Sequence, residues 1–157
     1  MGAGPRERHR RGAVNTFFTA PNLFNPNSTK INRLVAGGDP GLLYSVGILD
    51  LSKGPLILTV PAMGSRYYDI ELVDSRGDDF AYVASRTTGG QAGNFLISGP
   101  SWHGILPNGL TQVASPDNNV LLIGRVLVQN ASEVSVAYNL STQIHLTPLS
   151  QWNLTAR

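Results

Sequence analysis

The chain has 157 residues, of which 41% are hydrophobic and only 14% charged, with 17 glycines, 10 prolines and no cysteine. This is too apolar for a disordered chain and too rich in glycine and proline for a helical bundle, and the missing cysteines exclude disulfides, thiolate metal sites and cysteine nucleophiles. The formal charge of +2 is concentrated in Arg6, Arg8, Arg10 and Arg11 at the start, so the remaining body is nearly neutral.

A length of 157 residues suits one domain. Residues 1–30 read as an extended basic N-terminal arm, because Phe17, Phe18, Phe24 and several prolines and asparagines follow the arginines without any sustained period. The charged start has no apolar segment behind it, so no intact signal peptide is expected, and no run approaches the ~20 apolar residues of a membrane span. From Ile31 onward short apolar runs alternate with turn residues about every ten positions, the spacing of stacked sheets. The runs are Ile31–Ala36, Leu42–Leu51, Pro55–Val60, Tyr67–Val73, Phe80–Ser85, Asn94–Ile97, Leu110–Ala114 and Val120–Val128.

Within these runs the side-chain period refines the expectation. Tyr68–Asp74 alternates, placing Ile70 and Leu72 on one face and Asp69, Glu71 and Val73 on the other, as in a half-exposed strand. Leu56–Val60 and Val120–Ile123 are almost continuously apolar, which predicts cover on both faces. Ser52-Lys-Gly-Pro55 reads as a hairpin turn. After Ser132, a candidate cap, Val134, Ala137, Tyr138, Ser141 and Ile144 recur at helical spacing. The fold expected is all-β: an antiparallel β-sandwich, jelly-roll-like, over residues 31–150, with the basic arm before it, one short C-terminal helix and a tail at 151–157.

Several segments in this order resemble the family catalogued as domain of unknown function 1254. They are Val14–Phe17, Leu43–Ser52, Gly64–Tyr68, Arg86–Trp102, Ser115–Asn118, Leu122–Arg125 and Leu146–Leu149, which together span Val14 to Leu149. The resemblance implies β-sandwich architecture, export from the cell and, in many members, a following domain of unknown function 1214. It implies no established activity. Where the family carries Arg-Pro-Asn-x-Asp-Thr-Leu-Tyr, this chain reads Gly37-Gly-Asp-Pro-Gly-Leu-Leu-Tyr44, and Arg76 takes an aromatic position. The family's densest polar cluster is therefore depleted here.

The candidate sites are modest. Gly89-Gly-Gln-Ala-Gly93 invites comparison with a phosphate loop, but it runs straight into the apolar Phe95–Ile97, with no lysine nearby, and reads as turn, strand and turn. His9, His103 and His145 show no metal-ligand spacing. Ser101, His103 and Asp117 contain the residue types of a nucleophilic triad without the usual elbow around the serine. Asp74, Asp78 and Asp79 lack the spacing of a calcium loop. Arg76-Gly-Asp78 is the tripeptide read by integrins and reads as a chance occurrence. Asn27, Asn130, Asn139 and Asn153 each begin an N-glycosylation sequon.

No set of acids, bases or ligands is arranged for catalysis, and neither cofactor nor metal is implied. The chain reads as a non-enzymatic structural or surface-binding domain, self-assembling or part of a larger exported or virion-like assembly. Its expected partners are copies of itself or other subunits, with Phe17, Phe18, Phe24 and the arginines forming an assembly arm. Contact between that arm and nucleic acid would be weak and salt-sensitive. The alternative is an envelope-associated enzyme or a binding protein for a small molecule or glycan. It would draw on Asp39, Tyr44, Arg66, Tyr67, Asp74 and Arg125.

Overall fold

A computed structural model of the chain describes residues 14–19 and 41–155. The expected strand Ile31–Ala36, the four arginines of the arm, His9, Phe24, Asn27 and Asp39 lie outside the described residues, as do the side chains of Phe18 and Asn153. The elements are β1 (Phe17–Thr19), β2 (Gly41–Asp50), β3 (Leu56–Val60), β4 (Tyr68–Val73), β5 (Asp79–Ala84) and a single-turn helix α1 (Ser85–Thr88). They continue as β6 (Gly93–Ser98), β7 (Thr111–Ala114), β8 (Asn119–Val128), a 3-10 turn at Ala131–Glu133, α2 (Val134–Thr142), β9 (His145–Pro148) and α3 (Leu149–Thr155).

The strands form a five-stranded sheet in the order β1-β2-β8-β4-β5 and a four-stranded sheet in the order β7-β6-β3-β9. Alternation along each strand sends one set of side chains between the two sheets. Leu43, Leu49, Ile70, Leu72, Leu122 and Val126 come from the larger sheet, and Leu56, Leu58, Val60 and Ile97 from the smaller one, into one shared core. Tyr68 is fully buried there because its hydroxyl finds the Thr88 hydroxyl at 2.9 Å. Phe17 packs against the same core over Gly47 and Gly124, where a Cβ would meet the Phe17 ring at 3.0 and 2.7 Å. Expected in an arm free to lie across a neighbour, Phe17 instead belongs to its own chain's sheet.

Other expectations are corrected by the topology. Ser52–Pro55 is not a hairpin turn. It carries the chain from the five-stranded sheet to the four-stranded one, since β2 pairs with β8 while β3 pairs with β6 and β9. The sheets are not wholly antiparallel, because β6 and β7 pair in parallel. The helix after Ser132 is present as α2, burying Ala137 and Ser141, but its N-cap is Glu133, and Ser132 lies in the preceding 3-10 turn. The glycine stretch follows a helix C-terminus rather than opening a helix: Gly89, at φ +64°, donates its N–H to Ser85 O at 2.9 Å. Gly90 O then accepts the N–H groups of Met63 and Gly64, each at 2.9 Å. Its role is architectural, as the sequence indicated.

The two sheets differ in their outward faces. Over the four-stranded sheet Ile57, Leu96 and Leu110 form a second small core beneath Trp102, Leu149 and Trp152, so β3 is covered on both sides as its apolar run requires. The run in β8 meets a different fate. Among the described residues its outward face has no such cover, and Leu121 is 37% exposed beside Ile48 at 52%.

Candidate functional site

The open face of the five-stranded sheet is built by register. Tyr44 faces Arg125, Arg125 faces Asp69 and Asp69 faces Ala84 across β2, β8, β4 and β5. One row along lie Val46, Ile123, Glu71 and Tyr82, and beyond them Ile48, Leu121 and Val73. The β2–β8 half is therefore an apolar strip, and the β4–β5 half is polar and aromatic.

Arg125, on the central strand, organises the polar half. Its NH1 donates to Asp69 Oδ1 at 2.7 Å and its NH2 to Glu71 Oε1 at 2.9 Å, while its guanidinium lies 5.9 Å from the centre of the Tyr44 ring. Burial acts against the Arg125 charge, but the hydrogen bonds to Glu71 and Asp69 outweigh it and raise its pKa. Tyr67 donates its hydroxyl to Asp69 Oδ2, a bond that raises the Tyr67 phenol, with desolvation adding to the effect. The Tyr82 hydroxyl donates to Asp79 Oδ2 at 2.8 Å, which pushes that phenol up to about 12. Asp79 is held below the ordinary carboxylate range, first by a hydrogen bond with Glu71 and then by Tyr82.

These shifts point away from acid–base catalysis. A general base works best with a pKa near the operating pH, and here the phenols move further from neutrality while the acids are tied to a guanidinium. A titration follows from the geometry. The folded-state pKa of Tyr82 lies above the ordinary phenol value near 10. Its bond to Asp79 thus contributes fully below about pH 10, and the contribution is lost as pH rises through about 12. Phenolate absorbance should accordingly show a late transition near pH 12 that Tyr82→Phe removes. Loss of an ordinary transition instead would place Tyr82 free of Asp79.

Of the residues named from the sequence, Tyr44, Tyr67 and Arg125 come together in this cluster. Arg66 does not join them: its NH1 binds Leu127 O at 2.8 Å and Glu133 Oε1 at 2.9 Å, and that bond lowers the Glu133 pKa. Asp74 also stands apart. Its buried carboxylate accepts the N–H groups of Arg76 and Asp78 and closes the β4–β5 turn. Asp69, Glu71, Asp79 and Tyr82 complete the cluster but were not singled out together. The available signal was the spacing of Asp69 and Glu71 two apart on one strand face.

The remaining candidates do not assemble. Asp117 accepts hydrogen bonds from Ser75 and from the Asn119 N–H, and among the described residues none joins it to Ser101 or His103. His145 lies on β9 with its Nδ1 3.1 Å from Gln143 O. No group of three histidine, aspartate or glutamate side chains among the described residues is placed to hold a metal ion. At the exposed β4–β5 tip the Arg76 Nε lies 4.0 Å from Asp78 Oδ2, so the tripeptide's two charges fold toward each other. Asn130 accepts the Ser132 hydroxyl and Asn139 is exposed on α2, whereas Ser141 of its sequon is buried and donates to Ala137 O. No helix of the described residues is long and apolar enough to cross a membrane.

The model of the family described as "Protein of unknown function (DUF1254)" matches residues 14–148. The crystal structure of the VPA0106 protein from Vibrio parahaemolyticus is similar at a TM-score of 0.70 and 26% identity, covering 94% of this chain and 35% of that one. That of a putative uncharacterized protein from Burkholderia cenocepacia has a TM-score of 0.53 at 13% identity, covering 90% and 37%. The chain thus spans about a third of the length of these solved relatives. No curated protein matches it.

Proposed function

The chain belongs to the DUF1254 family, and on that footing we propose that it is a non-catalytic β-sandwich docking module, exported and self-associating through the open face of its five-stranded sheet. The observation that carries this reading is the uncovered half of β8. Among the described residues, a run that is apolar on both faces is covered on one side only, leaving Ile48 and Leu121 exposed beside the half-buried Val46 and Ile123. Contiguous apolar surface of this kind favours a partner over water. The adjoining Tyr44 and Arg125 are residue types enriched where proteins meet.

Size is consistent with association. The four longer strands, six to ten residues each and about 4.8 Å apart, make a face of roughly 500 Å², of which the apolar strip is the β2–β8 half, a size suited to reversible association. The locked acids and raised phenols weigh against the enzymatic alternative.

Light scattering after size exclusion, run over a concentration series, tests the proposal. The chain should associate, and Ile48→Asp with Leu121→Asp should weaken association at least a hundredfold while leaving the fold intact, because both side chains are already partly in water. A monomer at every concentration, or association indifferent to the double change, would overturn it.

A further inference from the structure

The polar half of the same face contains a groove of about 330 Å³ that the docking strip leaves free. It exists because of one small residue. Ala84 faces Asp69 across β4 and β5 where its neighbours are long, so the floor drops between Tyr67 on one side and Tyr82 on the other. At ~3.3 Å per residue the two tyrosine backbones stand about 13 Å apart along the strands, with the Tyr67 hydroxyl reaching over Asp69 between them. The volume falls within the usual range of ligand clefts.

We propose that this groove binds a neutral sugar ring of a glycan, with the apolar face of the sugar against Tyr82 and its hydroxyls shared between Asp69 and Arg86. Three features favour that class. Tyr67 and Tyr82 are 42% and 46% exposed, so both rings present aromatic surface to solvent. Arg86 is exposed at the rim and makes no hydrogen bond or ion pair among the described residues, leaving its donors free for ligand oxygens. The carboxylates of Asp69 and Glu71 are held by Arg125, that of Asp79 accepts the Tyr82 hydroxyl, and Arg86 adds a second positive charge, so the patch carries little net charge. A site with donors, acceptors and little net charge suits a hydroxylated neutral ligand better than an ion.

Native affinity electrophoresis of the full chain through soluble β-glucan, xylan or galactomannan tests the site, with polygalacturonate as the anionic comparison. Retardation by at least one neutral polysaccharide is expected, with affinity reduced tenfold or more by Tyr82→Ala and also by Arg86→Gln. Both side chains are exposed, so neither change should disturb the fold. The Ile48→Asp, Leu121→Asp protein should bind sugar normally, which separates failure of this site from failure of the docking strip. The inference is overturned if no neutral polysaccharide retards the chain, if Tyr82→Ala leaves retardation unchanged, or if polygalacturonate binds more tightly.

Discussion

Replacing Arg125 with methionine should lower the stability of the fold by about 3 kcal/mol, or roughly 6–12 °C in melting temperature for a domain of this size. The side chains of Arg125, Asp69 and Glu71 are only 26%, 12% and 14% exposed, and one guanidinium serves both carboxylates. Removing it leaves two nearly buried acids facing each other across adjacent rows without a counter-charge. That penalty, rather than the intrinsic worth of the ion pairs, dominates the loss. Adding Asp69→Asn and Glu71→Gln to the methionine variant should therefore recover more than half of it. Urea unfolding of the single and triple variants decides the matter. A single-variant cost below about 1 kcal/mol would mean that the cluster behaves like an exposed surface pair.

A second large effect is expected at Gly90, and its neighbour supplies the control. A Cβ at Gly90 would stand 2.1 Å from Gly64 O, and the backbone there has φ +79°. Since Gly90 O also holds the N–H groups of Met63 and Gly64, the two loops cannot separate without losing those bonds. Gly90→Ala should cost about 3 kcal/mol or more, combining a left-handed conformation with a backbone collision. Gly89→Ala meets nothing within 4 Å at φ +64° and should cost only about 1 kcal/mol. Equal costs at the two positions, measured by thermal or urea unfolding, would contradict the close approach of the loops.

Much of the strand content was legible because apolar period and turn chemistry are local signals. β2, β3, β4 and β8 fall within one or two residues of the runs read from the sequence. β1 was not legible: three residues beside a basic arm carry no period, and Phe17 is fixed by glycines on β2 and β8, far away in the chain. The route of the chain was also hidden. Ser52-Lys-Gly-Pro55 encodes a change of direction, and the same four residues serve a hairpin or a passage between sheets.

The cluster shows a similar division. Alternation put Asp69 and Glu71 on one face, which was correct, but assigned that face to solvent. The residue that claims them is 56 and 54 positions away, and its row is set by β4–β8 register rather than by any local pattern. Tyr44 and Arg125 were singled out only through their places in family-like segments. Their stacking depends on the β2–β8 register.

The ten-pair ladder between residues 41–50 and 119–128 carries a consequence for how the molecule comes into being. During synthesis β2 leaves the ribosome about seventy residues before its partner, and β4 has no inner neighbour until β8 arrives as well. Closing so long a loop places the rate of folding under the control of a late event. Until then β2 and β4 each stand unpaired on one side, so a truncated product ending before Asn119 should be a substrate for chaperones and proteases rather than a smaller stable protein.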